Sequence, residues 1–304
     1  MIIIINCINS IYDFIMYTKY FIYFNFFLLI ATNNFIYYKL FNKSNYYLIK
    51  ALYYSINLNG CVLIKFVQWI NNNSEMLDIN NSYTKLFNNF YENNTFHSLN
   101  YTKKIFKQDF LHDFDDIIEI DDTYKIKSGS IAQVYKAKFK NIMNNSTNEN
   151  DYDDLNGSIA VKVVHPEIKY QLLFPINFVY FYKFLVNNIS FLKKYDTIFN
   201  FQSFFENLKL QLNMKNEYAN MDYFYNYYSN NEYIVIPRPL YSSKNILFMK
   251  FIDGELLDNI NVSEFEKQKI FLLFSLFLKD LYFFSDYFHC DLHDYNWKVT
   301  KYND

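Results

Sequence analysis

The stretch Lys125-Ile126-Lys127-Ser128-Gly129-Ser130-Ile131-Ala132-Gln133-Val134-Tyr135-Lys136-Ala137, followed after a polar gap by Ala160-Val161-Lys162-Val163, decides how this chain is read. Apolar residues at Tyr124 to Ile126 and Ile131 to Phe139 flank a turn at Gly129, which predicts two strands joined by a tight turn. Ile159 to Val164 predicts a third strand, with Lys162 the only charge in an apolar run. One cation on a short apolar strand, behind a turn of small residues, is an arrangement that can hold phosphate. A glycine-rich phosphate loop is excluded. Gly60, Gly129, Gly157 and Gly254 are the only glycines, so neither Walker A nor Gly-x-Gly-x-x-Gly can be formed from them.

Outward from that stretch the chain reads as helices and a few further strands. Asn141 to Gly157 is polar, acidic and low in complexity, as a surface insertion between strands would be. Helices are predicted over Pro175 to Leu185 and over Phe199 to Tyr228, the second carrying Glu217. Strands follow at Ile234 to Pro237 and Ile246 to Ile252, Asp253-Gly254 turns the chain toward helix, and, after Ser263, Glu266 and Lys267 open an apolar helix from Ile270 to Phe284. Upstream, apolar spacing from Tyr46 to Asn71 predicts helices broken near Asn59-Gly60. A further helix over Thr102 to Phe110 gives way to an acidic loop, Asp113 to Asp122.

Composition bounds the function. A chain of 304 residues with 51% hydrophobic content can bury a core, which excludes disorder throughout. The skew toward Phe, Tyr, Ile, Asn and Lys, with Arg238 the only arginine, follows A/T-rich codons, so aromatic stripes are read first as core. The formal net charge of −2, with basic residues spread along the chain, argues against a nucleic-acid partner. Cys7, Cys61 and Cys290 are too few and too far apart for a disulfide framework or a zinc ribbon, which points to a reducing compartment. Tyr20 to Tyr38 carries no charge and approaches the ~20 residues of a membrane span, while Asn25, Thr32, Asn33 and Asn34 interrupt it, so residues 1–44 read as a hydrophobic segment that is either a membrane anchor or an aromatic-rich core or interface helix. The arginines of a mitochondrial presequence are missing.

Phosphoryl transfer needs a cation on the phosphates, a carboxylate that fixes the cation, an aspartate at the acceptor and oxygen ligands for magnesium. Lys162, Glu217, Asp291 and Asn296 supply these in that chain order, and Asp291 to Asn296 has the Asp-x-x-x-x-Asn spacing of a kinase catalytic loop. Each taken singly has a plainer reading: a snorkelling lysine, a solvated helix glutamate, a loop Asp near an Asn. His289 and His293 also have the spacing of a zinc-hydrolase helix. Cys290 stands where that motif needs Glu and no third ligand is evident, so His289 is read as a structural loop residue.

Ser128 to Ala137 and Ala160-Val161-Lys162-Val163-Val164-His165-Pro166 together resemble the UbiB/ADCK atypical kinase family, also called aarF-domain kinases. Glu217-Tyr218-Ala219-Asn220 is similar to the family's Glu-Ala-x-Asn helix, and His289-Cys290-Asp291-Leu292-His293 to its His-x-Asp-x-His-Pro-Gly-Asn loop. Ile64-Lys65-Phe66-Val67-Gln68-Trp69 resembles the Lys-x-Gly-Gln signature of its helical extension. The wording is most similar to the mitochondrial ADCK-two-like branch, and the resemblance covers about Asn59 to Asn296.

The resemblance implies an α+β, protein-kinase-like fold with an N-terminal helical extension, a complete N-lobe and a truncated C-lobe. The expected division is an anchor (1–44), the extension (45–123), the N-lobe (124–253) and the start of the C-lobe (254–304). ATP and Mg2+ are the implied cofactors, on an atypical kinase or ATPase linked to ubiquinone or lipid metabolism. Lys162, Glu217, Ser130, Ala132 and Gln133 would bind nucleotide, Asp291 with Lys162 would serve catalysis, and Asn296 would hold metal. Lys65 and Gln68 would lie over the pocket, with Phe251 and Ile252 at the adenine hinge. The implied location is a membrane, in mitochondria.

Departures from the pattern raise the alternative of an inactive pseudokinase or binding module. Val67 stands for a glycine of the extension, Gln211 and Asn213 for two carboxylates, and Asp294-Tyr295 for Pro-Gly. The chain reaches Asp304 without an Asp-Phe-Gly, from which an incomplete or degenerate gene product is expected. The apolar helix over Ile270 to Phe284 then has little after it to pack on, so a protein partner is expected to cover it.

Overall fold

The computed structural model describes residues 2–72, 81–90, 96–140, 157–190, 193, 201–288, 292 and 296–300. It divides into two compact units, each gathered from separated stretches: residues 1–111, 126–134 and 162–213 form the first, and 112–125, 135–161 and 214–304 the second.

The first unit is mainly helical. Helix α1 (Ile2–Phe41), α2 (Tyr46–Asn59), α3 (Cys61–Asn72) and α4 (Asn81–Phe87) are joined by α5 (Leu99–Phe110). Asn45 caps α2, its side chain accepting from the Tyr47 and Leu48 amides. The expected break falls at Gly60, whose φ of 79° and ψ of −156° lie in a region open essentially to glycine alone. Phe24 of α1 packs with Ile56 of α2, Leu63, Ile64 and Val67 of α3, and Phe87 and Phe90, as one apolar core. Val67, the residue in the place of a family glycine, thus has a packing role inside the helical bundle.

Helix α1 extends past the predicted apolar window at both ends. Its first half is tied by polar contacts to the start of α7 (Ile168–Asn188): Lys19 to Glu167 at 2.8 Å, Tyr20 hydroxyl to the same carboxylate at 2.9 Å, and Asp13 to both Lys169 and Tyr170. Ser10–Phe41 is long and apolar enough to cross a membrane by length and composition. The face away from these contacts exposes Phe14, Ile22, Leu29 and Ile36.

The predicted helix from Pro175 begins earlier, at Ile168, and runs through the proline. Pro175 has no N–H to return to the Gln171 carbonyl, so the helix runs on without that one backbone bond. The long helix predicted over Phe199 to Tyr228 is two, α8 (Phe201–Gln211) and α9 (Met214–Tyr227). Asn213 is a poor helix former, and the Met214 N–H bonds the Lys244 carbonyl at 3.0 Å, so the helix restarts on a strand turn.

The sheet has the order β1-β3-β4-β6-β5, with β2 paired to β3. Its strands are β1 (Ile118–Ile120), β2 (Lys127–Ser128), β3 (Ala132–Phe139), β4 (Ile159–Val164), β5 (Pro239–Ser242) and β6 (Ile246–Lys250). The printed pairs β1 with β3, β2 with β3 and β5 with β6 are antiparallel. Two expectations shift. The acidic loop before the sheet holds the short helix α6 (Phe114–Ile117) and β1, and the strand predicted at Ile234 to Pro237 lies instead at Pro239–Ser242. In the second case Pro237, lacking an N–H, sits outside the ladder. Of the insertion predicted over Asn141 to Gly157, residues 141–156 lie outside the described residues.

Helix α10 (Glu264–Phe283) carries a capping box in which Ser263 and Glu266 satisfy each other's amides. Leu281 is its only buried residue, while Phe271, Leu272, Leu276 and Phe283 are exposed.

Candidate functional site

The β2–β3 hairpin builds the small-residue loop. Lys127 pairs with Val134 and Ser128 with Gln133, leaving Gly129 to Ala132 as the tip, which the Gly129 N–H closes onto the Ala132 carbonyl at 2.9 Å. Around the turn Ser128, Ser130, Ala132 and Gln133 are buried, while Gly129 is exposed. Gly129 itself needs no unusual backbone, since an added Cβ would meet only the Ala132 carbonyl oxygen at 3.6 Å. Strand β4 is buried at every position except Lys162, which is half-buried.

Residues the sequence did not single out hold this loop in place. His165, immediately after β4, donates its backbone N–H to the Ile131 carbonyl at 2.9 Å, and its ring Nε2 reaches the Gly129 carbonyl at 3.0 Å and Ser128 Oγ at 3.3 Å. Its Nδ1 faces His97 Nδ1 at 2.9 Å, and His97 Nε2 meets Thr102 Oγ1 at 3.0 Å. Gln133 clamps the same histidine by its backbone, accepting the His97 N–H at 2.9 Å and donating to its carbonyl at 3.4 Å. Burial holds both imidazoles below their ordinary range, and the neighbouring His165 adds to the effect on His97, whose pKa falls to about 4. His165 was part of the motif without a role. His97 had no motif at all, and the only local signal near it is Ser98, the cap of α5.

The predicted site residues are distributed as follows. Ser130, Ala132, Gln133, Lys162, Lys65 and Gln68 belong to the first unit, and Glu217 and Asn296 to the second. Gln133 is 1% exposed and spends its carboxamide on His97, which makes it a brace for the loop. Gln68, also buried, donates to the Phe90 carbonyl at 2.8 Å within the bundle, with Lys65 half-buried three residues away on the same side of α3. Glu217 lies in the first turn of α9, where the helix dipole favours a carboxylate. Asn296 is exposed. It precedes a segment that bridges Glu255 and Val299 through two backbone bonds of 3.0 and 2.9 Å, with Gly254 needed for the close approach to the Val299 carbonyl. Asp291, with His289, Cys290 and His293, lies outside the described residues.

In the second unit the Phe251 N–H bonds the Ser158 carbonyl at 2.9 Å, and its ring meets Tyr124 edge-on. The Lys136 ammonium lies over both rings, at 5.3 and 5.0 Å from their centroids, and pairs with Asp121 at 3.3 Å. Phe251, expected at the adenine hinge, is therefore fixed by strand and cation alike.

A mixed fold with an antiparallel sheet, a small-residue hairpin and a lysine on the otherwise apolar strand β4 is that of a kinase-like protein. The pattern of the ABC1 atypical kinase-like domain matches residues 92–304, and the chain belongs to that family. The resemblance read from Ser128 to Ala137 and from Ala160 to Pro166 is borne out. A curated mitochondrial protein of the ABC1 family from Schizosaccharomyces pombe is 23% identical over 228 residues, covering 69% of this chain and 32% of that protein. The chain thus spans about a third of the length of the relative it matches. A Mycobacterium tuberculosis protein solved in complex with erythromycin aligns over 53% of this chain and 37% of its own, at 17% identity and a TM-score of 0.37.

Proposed function

We propose that this chain is a nucleotide-binding member of its family, taking ATP at the β2–β3 loop, with Lys162 pairing phosphate. The observation that carries the reading is the Gly129 to Ala132 tip, with Ser130 and Ala132 buried and Gly129 exposed, braced by His165, in a chain whose β4 has one half-buried residue, the cation Lys162. Ser130 and the tip backbone would face the phosphates. The residues present fit the phosphate end of ATP. For magnesium, Asn296 is the one expected ligand among the described residues, and no step is derived through the metal.

If the chain turns ATP over, as an atypical kinase or ATPase, Asp291 is the residue that would accept the acceptor's proton. Otherwise the same loop makes a binding module. Membership of the family supports a link to ubiquinone or lipid metabolism, and the S. pombe relative supports mitochondria. Helix α1 would attach the chain to a membrane through its exposed apolar face. Within the family plan, residues 45–123 would act as the extension, 124–253 as the N-lobe and 254–304 as the start of the C-lobe.

The test is a thermal-shift titration with ATP, with and without magnesium. Wild type is expected to shift upward and Lys162→Met to lose most of that shift while keeping its Tm without nucleotide. No response of wild type to ATP in either buffer would refute the reading.

A further inference from the structure

The ring of His165 can be assigned a single protonation state from its surroundings. The Gly129 carbonyl only accepts, so His165 Nε2 must carry a hydrogen toward it. A neutral His165 then presents a bare Nδ1, and His97 must donate to it from its own Nδ1. His97 Nε2 is left bare in turn and accepts from the Thr102 hydroxyl. The result is a directed chain, Thr102 to His97 to His165 to Gly129. It begins on the first turn of α5, at a residue buried to 0% exposure, and ends on the tip of the β2–β3 hairpin.

The same two anchors are linked a second time, by Gln133 on the His97 backbone. Two sets of bonds therefore join the segment before α5 to the hairpin, one through side chains at its tip and one at its base. The groups around the pair are Tyr101, whose ring meets His97 edge-on, with Ser98, Glu167 and Gln171 on the neighbouring wall. Among the described residues none of these takes the place of either histidine in the chain.

We propose that His165 is a positioning residue for the nucleotide loop, and that the shape of the Gly129 to Ala132 tip is set from α5 through the His97–His165 relay. The nucleotide half of this statement rests on the proposed function; the coupling of α5 to the loop does not. Signals arriving at α5, such as a ligand or partner on that helix, would reach the phosphate cradle through two imidazoles.

Hydrogen–deuterium exchange of the full chain without nucleotide tests the coupling, followed over residues 126–134, where the Gly129 N–H is bonded to the Ala132 carbonyl. His165→Asn and His97→Ala are expected to raise exchange there about fivefold or more, the ratio carried by one net hydrogen bond. His165→Gln, whose carboxamide N–H can still reach the Gly129 carbonyl, is expected to restore most of the protection. Thr102→Val, which removes only the far donor, is expected to give a smaller rise confined to the same segment. Unchanged exchange in His165→Asn and His97→Ala would overturn the proposal. So would a His165→Gln chain as loose as His165→Asn, or a rise spread equally over α2 and α3. In the same variants ATP affinity is expected to fall with loop protection and to recover with His165→Gln. If wild type takes no ATP, the nucleotide reading fails by itself, and the exchange pattern still decides whether the relay exists.

Discussion

Gln171 closes over the break at Gly60: a methyl group added to that glycine would lie 2.4 Å from the Gln171 Cδ. The same carboxamide accepts the Cys61 N–H at 2.8 Å, at the start of α3, and donates to the Tyr20 hydroxyl of α1 at 3.1 Å. One polar side chain on α7 thereby meets three other helical segments at a point where no apolar residue could satisfy the opened backbone.

Gly60→Ala is expected to be among the most damaging small substitutions in the first unit. The backbone there is glycine-only, which costs on the order of 1–3 kcal/mol for any other residue. Displacing Gln171 leaves the Cys61 N–H unsatisfied, about 1–3 kcal/mol more. Urea unfolding should show a loss of ~3 kcal/mol or more. A change under about 0.5 kcal/mol, the ordinary range of surface substitutions, would contradict the packing described.

Acid should loosen the first unit before ordinary carboxylate protonation does. The unfolded His97 takes a proton near its ordinary 6.5, whereas in the fold its pKa falls to about 4, through burial and the adjacent His165. The folded chain binds fewer protons between those values, so its stability is complete above pH 6.5 and declines as pH falls toward 4. Because part of the His97 ring is open to solvent, the loss is on the order of 1–2 kcal/mol. Tm measured from pH 7 to pH 4 should fall more steeply in wild type than in His97→Gln. Asp121 and Glu266, whose carboxyls are held below their ordinary range chiefly by hydrogen bonds from Thr123 and Ser263, titrate alike in both proteins. Parallel pH profiles would refute the assignment.

Attachment through α1 should depend on its exposed face. Leu29, 60% exposed and inside the apolar stretch Ser10–Phe41, makes none of the polar contacts that tie α1 to α7. A lysine there costs little in water, yet roughly 2.5–3.5 kcal/mol at the centre of a membrane-spanning helix. Wild type is expected to stay with membranes in alkaline carbonate, and Leu29→Lys to move toward the soluble fraction with an unchanged Tm. A wild-type chain recovered wholly in the supernatant would rule the anchor out.

The sheet and loop were legible in sequence because their determinants are local. Strand β4 was predicted at its observed bounds, Ile159 to Val164, by an unbroken apolar run with one lysine. The break at Gly60 was equally plain, whereas α10 begins six residues before the predicted Ile270, at the Ser263–Glu266 capping box. Where neighbours intervene, prediction drifted. Nothing around Asn213 signals that Lys244 will take the Met214 amide and split one helix into two. Nor does the sequence around Gln133 reveal that its carboxamide meets the His97 backbone.

By itself the sequence determined the small-residue turn, the strand that carries Lys162 and the family to which the chain belongs, since each is written in consecutive residues whose spacing dictates backbone shape. Only the tertiary structure decided what holds that turn. His97 and His165 are 68 positions apart in the chain and 2.9 Å apart in the fold, and a hydrogen bond depends on the second distance alone.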